Sequence, residues 1–220
     1  GNAIWFDDAA EKMGVDVMRW MYASQNVEHH LLFGYGPADE VRKKIITLWN
    51  VYSFYATYAS LDEFSPENYR LRSENMTILD KWIMAKTEKL IKVARDCFDN
   101  YKISDLMKIF EIYLDDLSNW YIRRNRRRFW KSDNDEDKNT AYMTLFLVLS
   151  DVIKILSPVI PFVTEKIYQN LVRNSIKNSP ESVHLCNFPT VESKWTEDNL
   201  ILEVDSLKKV IELGRSGRNE

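Results

Sequence analysis

The chain has 220 residues, 45% of them apolar and 29% charged, with a net charge of -3 and a pI near 5.8. Such a composition is ordinary for a globular protein, and the length suits one large domain or one domain with appendages, at about 100–200 residues per domain. The acidic balance excludes a protein drawn as a whole to polyanions, so any nucleic-acid contact has to come from a local basic patch.

Cys97 and Cys186 form no C-x-x-C pair and the three histidines are scattered. A disulfide framework is thereby excluded and a zinc site is not expected; free thiols suit a reducing compartment. No apolar run approaches the ~18 residues of a membrane span, and the N-terminus lacks the form of a signal peptide. The expected setting is cytoplasmic. Gly1-Asn2-Ala3-Ile4 starts without methionine, which suggests a piece of a longer protein.

Asp7 or Asp8 can cap a short helix that runs to Lys12 and ends at Gly14, and Asp16 is the expected cap of a second helix carrying Val17, Trp20 and Met21. Residues 25–36 are irregular, with Leu31-Leu32-Phe33 a candidate short strand. His29-His30 is an exposed loop pair in this reading, because adjacent side chains point to different sides and no third metal ligand lies near.

Pro37, Asp39 and Glu40 open a long helix that reaches about Ser60. Val41, Ile45, Leu48, Tyr52, Tyr55 and Ala59 form its stripe, widened by Ile46, Trp49 and Phe54, and so wide a stripe marks a central helix. Its aromatic series is better explained by core packing than by base stacking. Leu61 to Glu74 is a linker with Pro66. Thr77 to Asn100 is a helix with Leu79, Trp82, Ile83, Leu90, Val93, Ala94 and Cys97 inward.

Ser104 is the expected cap of the next helix, with Asp105 just inside. Leu106, Ile109, Phe110, Tyr113, Leu114, Leu117, Trp120 and Tyr121 mark one face. The helix runs on into the densest cationic and aromatic stretch of the chain, Trp120-Tyr121-Ile122-Arg123-Arg124-Asn125-Arg126-Arg127-Arg128-Phe129-Trp130-Lys131. Arg123 and Arg127, like Arg124 and Arg128, are four apart, and each like-charged pair repels by a few tenths of a kcal/mol, roughly. That cost implies anions opposite, either carboxylates of the protein or phosphates of RNA. At about 100° per residue Arg124 and Arg128 fall in phase with Leu106, Phe110 and Leu117, which makes them internal struts toward a carboxylate such as Asp80, Asp115 or Asp116. Arg123, Arg126 and Arg127 project on the flanks toward phosphate, while Trp120 continues the apolar face.

An acidic loop at Ser132–Lys138 leads to a helix from about Glu136 to Leu156. Ser157-Pro158 breaks it, another helix follows through Pro161, Phe162, Ile167, Tyr168 and Leu171, residues 181–189 can hold a short extended segment, and a last helix spans about Thr196 to Leu213. The expected fold is an all-α antiparallel helical bundle. No repeat, glycine-rich phosphate loop or nucleophile–base constellation is present, so no catalytic residue is assigned.

Leu117-Ser118-Asn119-Trp120-Tyr121-Ile122-Arg123-Arg124-Asn125-Arg126-Arg127-Arg128-Phe129-Trp130 resembles the L-S-N-W-Y-I-R-R-S-R-R-R-F-W signature of isoleucyl-tRNA synthetases. Leu48-Trp49-Asn50-Val51-Tyr52-Ser53-Phe54, Leu79-Asp80-Lys81-Trp82-Ile83, Ser157-Pro158-Val159-Ile160-Pro161-Phe162 with Glu165-Lys166-Ile167-Tyr168, and Ser182-Val183-His184-Leu185 with Phe188-Pro189 resemble further segments in the same order. Gly14-Val15-Asp16-Val17-Met18-Arg19-Trp20 is similar to the G-A-D-A-L-R-W that follows the family's catalytic loop. Glu28-His29-His30-Leu31-Leu32 departs from the family pattern.

The resemblance implies a class I synthetase anticodon-binding bundle at 37–175, a stem-contact segment at 1–36 and a C-terminal extension at 176–220. It implies isoleucine tRNA as partner, an upstream catalytic domain in the same protein, and no cofactor within this piece, ATP and Mg serving that upstream domain. The RNA-binding set expected from it is Trp120, Tyr121, Arg123, Arg124, Arg126, Arg127, Arg128, Trp130 and Lys131, with no metal ligand. A monomer is expected. The rival reading is a helical scaffold whose arginine helix docks an acidic protein.

Overall fold

The computed structural model describes residues 4–26, 28, 30, 32–130 and 135–216. Helices α1 (Phe6–Met13) and α2 (Val15–Ser24) meet at Gly14, whose φ of 90° lies in the region that favours glycine and turns the chain sharply between them. The expected cap is not where the spacing put it. Asp16 sits inside α2 and faces away from its own backbone: its carboxylate accepts the N–H groups of Phe162 (3.4 Å) and Val163 (2.7 Å). It thus caps a helix nearly 150 residues further on, which local pattern cannot reveal. Arg19, one turn later, donates to the carbonyls of Val159 (2.9 Å) and Pro158 (2.6 Å) in the turn before that helix.

Leu32 and Phe33 form no strand. The Gln25 side chain instead both donates to the Leu32 carbonyl and accepts its N–H, each at 3.1 Å, supplying the pairing a neighbouring strand would have given. Leu31 and His29 lie outside the described residues.

Helix α3 (Tyr35–Leu61) is followed by two single 3₁₀ turns at Pro66–Asn68 and Ser73–Asn75, in place of any longer element. Helix α4 (Ile78–Asp99) opens with a capping box: the Thr77 hydroxyl accepts from the Asp80 N–H at 3.2 Å and Asp80 accepts from the Thr77 N–H at 2.9 Å. Helix α5 (Ile103–Asp115) starts one residue before Ser104, so Ser104 is not its cap. A π-turn at Asp116–Ile122 joins it without a break to α6 (Arg123–Trp130).

Helix α7 (Asp135–Leu156) packs against α3, α4, α6 and α8. On length and composition its stretch Glu136–Leu156 would suffice to cross a membrane, against the expectation from the sequence. Its apolar side chains are instead buried among the other helices, Tyr142, Leu145, Val148, Leu149, Val152 and Ile153 being wholly inaccessible. Helix α8 (Pro161–Tyr168) starts with proline at a position where a missing N–H costs nothing, and runs into a second π-turn, Gln169–Arg173. Residues 181–189 hold a 3₁₀ turn, Val183–Leu185, rather than an extended segment. Its amide ends are met by Glu165, whose carboxylate accepts from the Val183 N–H and the Ser182 hydroxyl, both at 2.9 Å. Helix α9 (Asp198–Ser216) lies on α4.

Among the described residues all regular structure is helical. The fold is an all-α bundle with α4 at its centre, flanked by α5, α7 and α9. One core runs through it, with buried side chains contributed from Ala9 in α1 to Val204 in α9.

Candidate nucleic-acid interface

The arginine stretch forms one amphipathic helix, but its phase is not the one a plain α-helix would give. A π-turn takes up one extra residue, so everything after it is rotated by about 100° relative to uninterrupted α-geometry. The positions that follow Leu117 into the core are therefore Tyr121, Asn125 and Phe129, exposed by 0%, 4% and 0%. Asn125 uses its burial: Nδ2 donates to the Tyr121 carbonyl (3.0 Å) and Oδ1 accepts from Arg128 (3.3 Å).

Arg128 is a strut, as expected, though it sits at the edge of the core rather than in line with Leu117. Nη1 donates to Asp80 Oδ1 at 2.9 Å, and Nε and Nη2 fork onto the Asp137 carboxylate at 3.0 and 2.7 Å. Burial alone would lower its pKa, but the Asp137 and Asp80 carboxylates outweigh that and hold it above arginine's ordinary value. Asp80, fully buried, also accepts the Tyr121 hydroxyl at 2.8 Å. Burial drives the Tyr121 hydroxyl pKa well up, with the Asp80 charge adding to it. Tyr121 and Arg128 therefore leave the expected RNA-binding set: one has no surface, and the other spends its donors on two carboxylates.

Arg124 is a correction in the opposite direction. The rotation carries it out of the core, and it is exposed. Its guanidinium lies over the Trp120 ring, 4.3 Å from the centroid. Trp120 itself is buried, 9% exposed, so it keeps the core role its spacing indicated.

Arg123, Arg126 and Arg127 are exposed on the remaining arc, as is Trp130, and no carboxylate among the described residues pairs with Arg123, Arg124, Arg126 or Arg127. Lys131 lies outside the described residues. Asp115 and Asp116, the other candidate partners, are taken elsewhere. Asp115 accepts from Asn119 at 2.5 Å, and Asp116, 1% exposed, is shared by Lys86 and Lys208.

Beside the arginines, α3 and the π-turn enclose a groove of about 690 Å³ lined by Asn50, Ser53, Phe54, Thr57, Tyr58, Ser118, Arg123 and Arg126, with no carboxylate in its wall. Arg126 lies 6.0 Å from the Phe54 centroid, and Phe54 packs edge-on against Phe129 at 5.0 Å, so the groove floor is fixed from below. The α3 contribution was missed from the sequence. A signal existed: Asn50, Ser53 and Thr57 make a polar stripe at helical spacing on the C-terminal half of α3, whose other side chains are mostly apolar or aromatic. Cations over rings beside amides and hydroxyls can neutralise phosphate and hold an unpaired base.

Among the described residues no group of three or more His, Cys, Asp or Glu side chains is placed to hold a metal ion.

Residues 80–220 match the family model described as "Anticodon-binding domain of tRNA ligase". The chain belongs to this family of tRNA-ligase anticodon-binding domains. Over its whole length it is 44% identical to an isoleucine–tRNA ligase of Clostridium tetani and 39% identical to one of Dehalococcoides mccartyi, covering 21% and 22% of those proteins. The chain thus spans about a fifth of the length of the relatives it matches. In fold it is similar to the LeuRS of Agrobacterium radiobacter K84 (agnB2) solved as a ternary complex with tRNA and LeuAMS, at a TM-score of 0.65 and 10% identity, over 90% of this chain and 22% of that one.

Proposed function

We propose that this chain binds tRNA through the exposed arginines of α6 and the groove beside them, as the anticodon stem-loop-binding part of an isoleucine–tRNA ligase. One observation carries the reading: Arg123, Arg124, Arg126 and Arg127 are exposed without carboxylate partners among the described residues, next to a groove with no carboxylate in its wall. Such a cluster repels itself and is relieved by a polyanion. The 44% identity to an isoleucine–tRNA ligase supports isoleucine isoacceptors as the tRNA.

In this reading residues 37–175 grip the stem-loop, 1–36 form a stem-contact segment and 176–220 a C-terminal extension. ATP, Mg and the chemistry of charging belong to an upstream catalytic domain of the longer protein. The piece is a cytoplasmic monomer and is not catalytic by itself.

The test is a binding titration of the chain with an isoleucine tRNA against a leucine tRNA, with an excess of an unrelated acidic protein as competitor. Preferential binding of the isoleucine tRNA that survives the competitor supports the reading. Displacement by the acidic protein, or no binding at low salt, overturns it and favours a protein-docking helix.

A further inference from the structure

The four exposed arginines do not share one environment. By helical phase Arg123 and Arg126 face the α3 groove and Arg127 stands on the crest. Arg124 points to the opposite flank, where α4 and α9 approach, and there it forms no hydrogen bond or ion pair among the described residues. It lies over the Trp120 ring, 4.3 Å from centroid to Cζ, a separation that leaves no room for anything between them.

Trp120 in turn is fixed from behind. Lys208 of α9 lies 5.4 Å from the Trp120 centroid and 5.7 Å from that of Trp82. Lys208 is held there by an ion pair with Asp116, which also binds Lys86, and Lys86 sits 5.5 Å from the Trp82 centroid. Cation and indole layers thus alternate from α4 outward: Lys86, Trp82, Lys208, Trp120, Arg124. Only the last is exposed.

A buried indole cannot take a base without leaving the core. An exposed guanidinium can, because it is planar, weakly hydrated and already desolvated on its inner face by the indole. Stacking on such a plane is how proteins hold unpaired RNA bases whose edges they do not read.

We propose that the outer face of Arg124, backed by Trp120, is a stacking platform for one unpaired nucleobase, on the flank of α6 away from the α3 groove. Lys208 is its positioning residue, acting through Trp120. The proposal rests on the tRNA-binding reading and adds to it a second kind of contact. Arg123, Arg126 and Arg127 neutralise phosphates; Arg124 holds a ring.

The experiment uses the intact chain and an isoleucine tRNA stem-loop in which each unpaired nucleotide is made abasic in turn. Arg124→Lys keeps the charge and removes the plane. It is expected to weaken binding by about 5- to 100-fold with an unchanged salt slope, since no phosphate contact is lost. At one loop position the abasic RNA should bind wild type and Arg124→Lys alike, the two changes removing the same contact. Lys208→Met should lower the affinity in part at that position alone, and Lys208→Arg should restore it. Equal affinity of Arg124→Lys and wild type for the intact stem-loop, or additive losses at every position, overturns the platform and leaves the tRNA-binding reading standing. Failure of the wild type to bind the stem-loop at low salt overturns both.

Discussion

Arg128 donates to Asp80 across the junction of α6 and α4, Nη1 to Oδ1 at 2.9 Å, and Asp80 is wholly buried. The same carboxylate closes the capping box of α4 and accepts the Tyr121 hydroxyl. Three elements therefore converge on one charge, and the guanidinium that neutralises it also reaches Asp137 on α7. Removing one member of such a pair costs more than the pair contributes, because the other member is left charged and buried. Arg128→Ala is expected to destabilise the fold by roughly 3–5 kcal/mol, seen as a fall of about 6–20 °C in the melting temperature. Arg128→Lys should recover little, since one ammonium cannot fork onto Asp137 while reaching Asp80. A melt of Arg128→Ala that superimposes on wild type would show that the network carries no net stability.

The surface arginines should behave in the opposite way. Arg123, Arg126 and Arg127 are exposed, and exposed charges contribute little to stability. Each alanine variant is expected to melt within about 1 °C of wild type. Each should weaken tRNA binding and reduce the slope of log affinity against log salt by about 0.7–0.9. Binding and salt slope that stay at wild-type values in all three would place the RNA elsewhere on the molecule.

How α6 is rotated was only half legible in the sequence. Periodicity located the helix, its start and its cationic end, and it singled out Arg128 as a strut. It also placed Arg124 inside, because a phase of 100° per residue carried from Phe110 and Leu117 assumes unbroken α-geometry. Nothing in Asp116–Ile122 announces a π-turn; it is imposed by packing, which buries Leu117, Tyr121, Asn125 and Phe129 along one seam. The Asn125 amide, bonded to the Tyr121 carbonyl, shows how the altered phase is accommodated. Long-range caps were illegible for a different reason. Asp16 caps backbone amides, and Glu165 meets the Val183 amide along with side chains, and a backbone amide carries no side-chain signature. The groove wall on α3 was legible as a polar stripe of Asn50, Ser53 and Thr57, but the apolar and aromatic side chains beside it fit core packing as well.

Glu88 sets a pH dependence. It is 4% exposed on α4, and its carboxylate accepts the N–H of Glu192 at 2.7 Å, tying the segment before α9 to the bundle. Facing it are Asp151 from α7, and Glu192 and Lys194 from the segment itself; among the described residues no cation forms an ion pair with it. Burial, with the Asp151 and Glu192 charges adding to it, raises its pKa to about 7. A carboxyl whose pKa is higher folded than unfolded binds more protons in the folded state, so its contribution to stability falls as pH rises from about 4.5 to 7 and is constant above. Glu88→Gln keeps an oxygen for the Glu192 amide and removes the charge. It is expected to melt higher than wild type at pH 8 by a few degrees, on the order of 1–2 kcal/mol, with the gap closing toward pH 5. A pH-independent gap would mean that Glu88 does not titrate in this range.

The last prediction concerns Asp16, which joins α1 and α2 to the bundle. Its carboxylate caps α8 through Val163 at 2.7 Å, while Arg19 from the next turn of α2 ties down the Pro158 and Val159 carbonyls. These bonds cross between the expected stem-contact segment and the expected bundle, and Met13, Val17, Trp20 and Met21 enter the same core. Loss of a side-chain cap costs about 0.5–2 kcal/mol. Asp16→Ala should cost that much, Asp16→Asn less, because the amide oxygen can still accept one N–H. If the first 24 residues fold as part of the bundle, Asp16→Ala lowers one cooperative transition and protease cuts appear throughout the chain together. If they form a separate unit, cutting begins between residues 1 and 34 while the bundle still resists. The single shared core favours the first outcome, and limited proteolysis of wild type and Asp16→Ala below the melting temperature decides it.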